Sequence, residues 1–203
     1  MKIFILFLLL LSAPAFSQTD NGLADIAKFQ KELNKEYKSK KKSPLEPDAR
    51  NHFKGHDFFA ADLKYRVTAK LRVTEPAPFF KMKTSSMALP EYRVFGIIEF
   101  TLNDQKFELP VYQSKQLMAT QEYRDYLFLP FTDLTNGNLT YPGGRYIELS
   151  MPKGDDIIVD FNKAYNPYCA YSTRYSCPVV PAENHLEIEI LAGVKYKPKS
   201  SGL

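Results

Sequence analysis

Hydrophobic and polar residues recur along this chain with two different periods. Between Leu23 and Tyr37 the apolar residues stand three or four positions apart, and charged residues fill the positions between them. That spacing predicts one amphipathic helix, with Asp20 or Asn21 as its N-cap. Residues 43–47 contain two prolines, which predict that the helix has ended and that an extended connection follows.

After this connection the period changes to two. Apolar residues alternate with charged or hydroxyl residues from Tyr65 to Val73, as expected for a strand with one wet face, and Asn103-Asp104 predicts a tight hairpin turn. Strands are predicted over residues 65–73, 79–84, 92–102, 107–111, 126–131, 145–151, 157–161 and 186–191, with a short helix over 116–123. No helical pattern separates consecutive strands, which argues against parallel crossover units. The chain is therefore predicted to be mostly β, an antiparallel sandwich or barrel-like sheet with one N-terminal amphipathic helix.

The first residues have the pattern of a targeting signal. Lys2 precedes an apolar run over residues 3–11, and small residues follow before Gln18. We expect a signal peptide over residues 1–17, an N-terminal helix and linker over 18–47, and a single β-rich domain over 48–203. No later segment approaches the roughly 20 apolar residues of a membrane helix, so no membrane span is expected after signal cleavage. The protein is predicted to be exported, to the periplasm or the extracellular space.

Charge narrows the range of partners only slightly. The net charge of +4 over 203 residues is too small to indicate a nucleic-acid-binding protein. A small molecule or another protein, neither identifiable from the sequence, is the expected partner.

Cys169 and Cys177 are the two cysteines of the chain. An even number of cysteines in an exported protein favours a disulfide, which would close a short loop and stabilise the fold by about 2–3 kcal/mol. A metal site or a reactive thiol is the alternative. The spacing is not that of a C-x-x-C metal motif, so no metal and no cofactor are expected.

Polar residues concentrate in the loop region that runs from Arg145 to Asn184. Arg145 follows two glycines and could clamp a carboxylate or phosphate, or could instead pair with Asp133 or Asp160 and hold the loop in shape. Asp160 ends an apolar run, and Asp and Asn at such positions also form turns with their own backbone. The ligand-binding candidates are Arg145, Tyr146, Asp160, Asn162, Tyr165, Asn166, Glu183 and Asn184.

Three interpretations of this region remain open. A binding or interaction module with a polar loop site is favoured, because polar residues outnumber pairs suited to proton transfer. An enzyme is the alternative, either hydrolase-like, using Asp160 with Arg145 or Glu183, or a thiol redox enzyme using Cys169 and Cys177. In the third interpretation every one of these residues is structural.

Several motifs in the second half of the chain resemble a known family. They are FTDLTNG at 131–137, TYPGGRY at 140–146, DFNKAYNP at 160–167, Cys169, Cys177-Pro178 and PAEN at 181–184. In this order they resemble the bacterial and archaeal domain of unknown function 1684 family, and residues 43–45 and 53–59 are similar to its N-terminal part. Lys163 stands where the family usually has arginine, which weakens a bidentate role at that position. The resemblance implies no established activity, cofactor or partner.

Overall fold

A single, strongly curled β-sheet dominates the computed structural model, which describes residues 21–74 and 76–196. Within these residues eight strands form: β1 Arg66–Val73, β2 Phe80–Lys81, β3 Glu91–Leu102, β4 Gln105–Ser114, β5 Tyr126–Asp133, β6 Arg145–Ser150, β7 Asp156–Asp160 and β8 His185–Leu186. The sheet curls into a half-barrel, which confirms the predicted mostly β, barrel-like fold.

The order of strands across the sheet is β6-β5-β4-β3-β1-β7, with β2 paired to β3 and β8 paired to β5. The β5–β8 pair is parallel and the other strand pairs are antiparallel. Although β6 and β7 are consecutive in sequence, they lie at the two ends of this order and are not paired with each other.

Within the residues that the structure describes, three α-helices accompany the sheet: α1 Gly22–Lys38, α2 Pro47–His52 and α3 Lys115–Met118. The predicted amphipathic helix is confirmed as α1, which buries Ile26 and Tyr37 and ends where Ser39 becomes extended. Asn21 occupies the N-cap position, but its side chain makes no capping hydrogen bond. The predicted helix over 116–123 is shorter than expected, because α3 ends at Met118. No helix in the described part of the chain is both long enough and apolar enough to cross a membrane.

The β3–β4 hairpin follows the predicted turn. Asn103 and Asp104 have φ values of 50° and 61°, the left-handed geometry that asparagine and aspartate tolerate. Leu102 and Gln105 are therefore direct partners across the turn. This local signal sets the register of the longest strand pair in the sheet.

Alternation along the strands places side chains on two packed faces. The inner face of the curl holds the main core, and the outer face of β4 to β6 is covered by residues 165–180, which we call the outer segment. The buried inner core includes Ala69, Leu71, Ile98, Phe100, Leu109, Val111, Leu127, Leu129, Phe131, Ile147, Val159 and Phe161. Met82, Tyr112, Phe128, Tyr146 and Cys177 form the buried part of the outer core.

The last predicted strand, over residues 186–191, forms only in part. β8 contains His185 and Leu186, and the chain beyond it leaves the sheet. The Ile188 carbonyl still accepts from the Leu134 N–H at 3.1 Å, but at Ile190 and Ala192 the carbonyls accept hydrogen bonds from the Arg145 side chain instead. A buried cation thus replaces the hydrogen bonds that a longer strand would have made.

Candidate functional site

Arg145 lies inside the protein rather than at an open site. Its guanidinium is fully buried, and Nη2 donates to Asp133 Oδ2 at 2.7 Å and to the Ile190 carbonyl at 3.0 Å. Asp133 is equally buried, and its Oδ1 accepts hydrogen bonds from the backbone and hydroxyl of Thr135. Because nearly every charged atom of this pair has a partner inside the fold, the structure supports the architectural alternative for Arg145.

Asp160 and Asn162 build the turn that follows β7. Asp160 Oδ1 accepts from the Asn162 backbone at 3.1 Å and from its side-chain amide at 2.9 Å. Asn162 in turn exchanges two hydrogen bonds with the backbone of Asp62. The other oxygen of Asp160 accepts from Arg66 Nη1 at 3.1 Å. Asn162 therefore joins two distant segments of the chain, whereas Asp160 also faces the charged groups described below.

The Asn184 side chain bridges β4 and β5 where these strands lack backbone hydrogen bonds to each other. These strands share a single paired position, Tyr112 with Phe128, and each contains a proline, which has no N–H to donate. The side-chain amide of Asn184 donates to the carbonyls of Pro110 and Pro130 at 2.9 and 2.8 Å. Asn184 is fully buried, so this bridge takes the place of missing hydrogen bonds between the strands.

Glu183 is exposed beside this bridge and shares a partner with it. The Tyr112 hydroxyl lies 3.2 Å from Glu183 Oε1 and 2.9 Å from Asn184 Oδ1. Burial is the main reason that the pKa of Tyr112 is raised, and the negative charge of Glu183 adds to it. A neutral tyrosine hydroxyl therefore donates at this point.

The remaining candidates lie around the outer segment. The Tyr146 hydroxyl donates to the Pro178 carbonyl, and the Tyr165 hydroxyl donates to Glu148 Oε1 at 2.9 Å. Asn166 is buried and donates to the Tyr171 hydroxyl at 3.0 Å. The first two contacts hold the outer segment against β6, whereas the Asn166 contact lies within the segment.

The predicted disulfide requires correction. Cys169 and Cys177 are both free thiols, and their sulfur atoms are not at bonding distance. They are nevertheless neighbours, because the Cys169 backbone N–H donates to Cys177 Sγ at 3.1 Å. The predicted disulfide is therefore wrong, because the contact between the two residues runs from a backbone N–H to a sulfur and leaves the sulfurs too far apart to bond.

The hydrolase-like interpretation requires Asp160 to act together with Arg145 or Glu183. No hydrogen bond or ion pair among residues 21–74 and 76–196 joins Asp160 to either of them, since Arg145 is bound to Asp133 and Glu183 lies beside Tyr112. No group of three or more metal-ligating side chains occurs within the same described residues.

A cleft that the sequence did not indicate lies at the seam between β6 and β7. Tyr146 exchanges backbone hydrogen bonds of 2.9 and 3.0 Å with Tyr165 on the side of β6 away from β5. Neighbouring residues of a strand direct their peptide groups to opposite sides, so those of Glu148 and Ser150 also point away from β5. No described strand pairs with this edge of β6.

The facing edge of β7 is equally open. The Leu71 backbone N–H donates to the Asp155 carbonyl at 2.7 Å, which fixes the alternation of the β1–β7 pair. By the same rule, the peptide groups of Asp156 and Ile158 point away from β1 and towards the seam. Two strand edges thus face each other with backbone donors and acceptors available.

We call the space between these edges the seam slot. Its volume is about 320 Å³. It is lined by Asp25, Arg66, Ile147, Glu148, Leu149, Ser150, Pro152, Asp156, Ile157, Ile158, Asp160 and Lys163. Core side chains such as Ile147 and Leu149 form an apolar floor, and charged side chains form the rim. Of the eight predicted site residues, Asp160 alone is among the described residues that line the slot.

The charges of the rim differ in how they are paired. Arg66 is bound to Asp160 and lies 3.8 Å from Asp25, and Asp156 is bound to Lys70 at 2.7 Å. Glu148 accepts from the Tyr165 hydroxyl, and burial together with the negative charge of Glu36 raises its pKa. Within the described residues, the Lys163 ammonium makes no hydrogen bond and no ion pair. The slot therefore presents a cation without an ion pair and an exposed carboxylate whose pKa is raised.

Only weak sequence signals pointed to this slot. Lys163 differs from the arginine usual in the family that the motifs resemble, and Ile158 is an apolar residue on the wet face of β7. The opening itself arises because two consecutive strands pair with different neighbours, and no local pattern encodes that choice.

Comparison with known proteins places the chain among relatives of unknown function. The model of the family described as "Protein of unknown function (DUF1684)" matches residues 51–195. The chain belongs to this family. No curated protein matches it.

A solved structure of the same kind is also similar. It is the solution NMR structure of the uncharacterized protein from gene locus rrnAC0354 of Haloarcula marismortui. That protein is 32% identical to this DUF1684 chain, with a TM-score of 0.69 over 88% of this chain and 96% of the other. The curled sheet is thus shared with an archaeal protein, whose function is equally unassigned.

Proposed function

We propose that this DUF1684 protein is a binding module that takes a small zwitterionic molecule, of the free amino acid class, into the seam slot. The observation that carries the proposal is the pair of open strand edges that face each other across an apolar floor. Peptide groups on open edges supply both donors and acceptors, and pockets with a few converging polar groups are the usual form of small-molecule sites.

The bounds of the slot favour a small molecule over an extended peptide. One end is closed by the loop at 151–155, which joins β6 to β7, and the other end is closed where Tyr165 returns to pair with Tyr146. A peptide that adds as an extra strand needs an edge it can follow and leave at both ends. The seam slot offers no such path.

The rim charges favour a ligand that carries both signs. Lys163 can bind a carboxylate without first breaking an ion pair. Glu148 is destabilised as an anion by its surroundings, so a ligand ammonium beside it would restore favourable charge contact. Lys163 and Glu148 are the residues that we expect to hold the ligand.

Calorimetric titration of the purified protein with a panel of free amino acids tests this proposal. A charge-assisted hydrogen bond contributes about 1.5–3 kcal/mol, so Lys163→Gln and Glu148→Gln should each weaken binding by roughly 10- to 100-fold. Lys106→Gln and Glu189→Gln are matched controls, because both residues are exposed and lie outside the slot.

The two variants also separate the halves of the ligand. Lys163→Gln should abolish the preference for a free carboxylate, whereas Glu148→Gln should abolish the preference for a free amine, as measured with amidated and acetylated amino acids. Binding of neutral sugars with equal affinity, or equal losses in the control variants, would refute the proposal.

We infer that the protein is also exported. The support is the charged start, apolar run and small residues of the first 17 positions, which lie outside the described residues. Expression with its own leader, followed by cell fractionation and mass measurement, should give a mature chain that starts at Gln18. A full-length chain retained with the cytoplasmic fraction would contradict export.

A further inference from the structure

The cysteine pair is held together by backbone contacts rather than by chance proximity. Cys169 lies in the short 3-10 helix Tyr168–Ala170, and its N–H donates to Cys177 Sγ at 3.1 Å. Cys177 is fixed by Ser85, whose hydroxyl accepts from the Cys177 N–H at 3.1 Å and whose own N–H donates to the Cys177 carbonyl at 2.8 Å. The two sulfur atoms are therefore positioned by separate, well-anchored stretches of chain.

The two thiols differ in exposure. Cys177 is buried in the outer core, with 8% of its surface exposed, whereas Cys169 is partly open to solvent. A reagent approaching from solvent therefore meets the Cys169 sulfur first. This asymmetry is the arrangement expected of an attacking thiol and a resolving thiol.

The two thiols also differ in acidity. The pKa of Cys169 is lowered to about 6, first by its interaction with the Cys177 thiol and then by those with Ser85 and Tyr141, against the opposing effect of burial. Donation to that sulfur, together with burial, raises the pKa of Cys177. The same contact contributes to raising the pKa of Tyr141 to about 12. These shifts favour the thiolate on the partly open Cys169 sulfur and the protonated form of the buried Cys177.

We propose that Cys169 and Cys177 form a thiol–disulfide exchange site that takes a small disulfide as its substrate. The Cys169 thiolate attacks one sulfur of the substrate, so that a mixed disulfide forms and one substrate thiolate leaves. Cys177 then attacks the Cys169 sulfur and loses its proton to solvent. A Cys169–Cys177 disulfide forms, the second substrate thiolate leaves, and the substrate disulfide has been reduced to two thiols.

This proposal is independent of the seam slot. The slot residues that carry the proposed ligand role, Lys163 and Glu148, make no contact with either cysteine among the described hydrogen bonds and ion pairs. A protein without thiol–disulfide exchange could therefore still bind the ligand in the seam slot. A protein that binds no ligand there could still carry out the exchange.

The experiment equilibrates the full protein with defined ratios of reduced to oxidised glutathione, then blocks free thiols with an alkylating reagent and measures the intact mass. We expect the mass to show two alkylated thiols in excess reduced glutathione and none in excess oxidised glutathione, and the change between these states to be reversible. In Cys177→Ser the reaction should stop at a single mixed disulfide on Cys169. In Cys169→Ser no adduct should form at a comparable rate, because the remaining thiol is buried and keeps its proton.

Circular dichroism of both variants establishes that they are folded under the conditions of the assay. If Cys169→Ser reacts as fast as Cys177→Ser, the assigned order of attack is refuted. If the wild-type protein forms a disulfide that a large excess of reduced glutathione does not open, the pair is a structural disulfide and the exchange site is refuted. If neither thiol reacts until the protein unfolds, the proposal also fails.

Discussion

Replacing Arg145 by methionine is the most direct test of how this fold is held together. The substitution keeps much of the side-chain volume but leaves Asp133 buried without its cation. Breaking a buried ion pair from one side costs about 3–5 kcal/mol. The carbonyls of Ile190 and Ala192 also lose their donor, at about 1–3 kcal/mol for each buried group left unpaired.

A loss of at least about 4 kcal/mol is therefore expected, out of the 5–15 kcal/mol that is typical of a folded domain. Urea denaturation followed by circular dichroism measures it as a fall in the midpoint at unchanged slope. The double variant Asp133→Leu/Arg145→Met should be more stable than Arg145→Met alone, because no unpaired charge then remains buried in the core.

The matched control is Arg72→Met. Arg72 also pairs with a carboxylate, Glu99 at 3.1 Å, but its side chain is 59% exposed, so the change should cost no more than about 1 kcal/mol. If Arg145→Met costs as little as Arg72→Met, the Arg145–Asp133 pair does not organise the end of the chain, and the explanation given for the short β8 fails.

Three further predictions concern single positions. His56 is shielded by aromatic side chains, and burial lowers its pKa to about 4. Between pH 6.5 and 4 the unfolded chain therefore binds a proton at this residue that the folded protein does not bind, and the free energy of unfolding should fall by about 2–3 kcal/mol. Thermal melts of His56→Phe should show a weaker dependence of stability on pH over this range. Asn184→Asp should cost more than about 2 kcal/mol in urea unfolding, because two buried proline carbonyls lose their donor, whereas Glu183→Ala nearby should stay within about 1 kcal/mol. Gly193 has φ +80°, and a Cβ there would lie 2.6 Å from a backbone oxygen, so Gly193→Ala should clearly lower the melting temperature. Gly154 has open space around it, so Gly154→Ala should not. Equal effects of the two substitutions would contradict the claim that the backbone at Gly193 requires glycine.

Much of the sheet could be predicted because its signals are local. The alternation along β1 and the Asn103-Asp104 turn each depend on residues that are neighbours in sequence, and both were predicted correctly. The end of β8 could not be predicted, because the carbonyls of Ile190 and Ala192 beyond it are bonded to a side chain more than forty positions away. Whether a backbone group is satisfied by a strand or by a distant arginine is decided by tertiary packing alone.

The candidate site shows the same division. The sequence predicts a polar loop site from Arg145 to Asn184 and offers structural turns as the alternative for Asp160 and Asn162, and their mutual hydrogen bonds support that alternative. It could not place Lys163 and Glu148 on one rim, because their proximity depends on β6 and β7 choosing different partners. Long-range strand pairing is the step that residue patterns specify least.

The pairing of β1 with β7 has a consequence for the newly made chain. Arg66 is matched to Asp160, so one edge of β1 stays without its partner until the polypeptide has grown by some ninety further residues. An unpaired edge is a template for misassembly between molecules. Lys70 and Arg72 project from the same strand as Arg66, and such charges are the usual means of keeping an exposed edge from recruiting another chain. The side chains that form ion pairs in the finished sheet are thus of the charged type that disfavours pairing between chains while this edge of β1 is open.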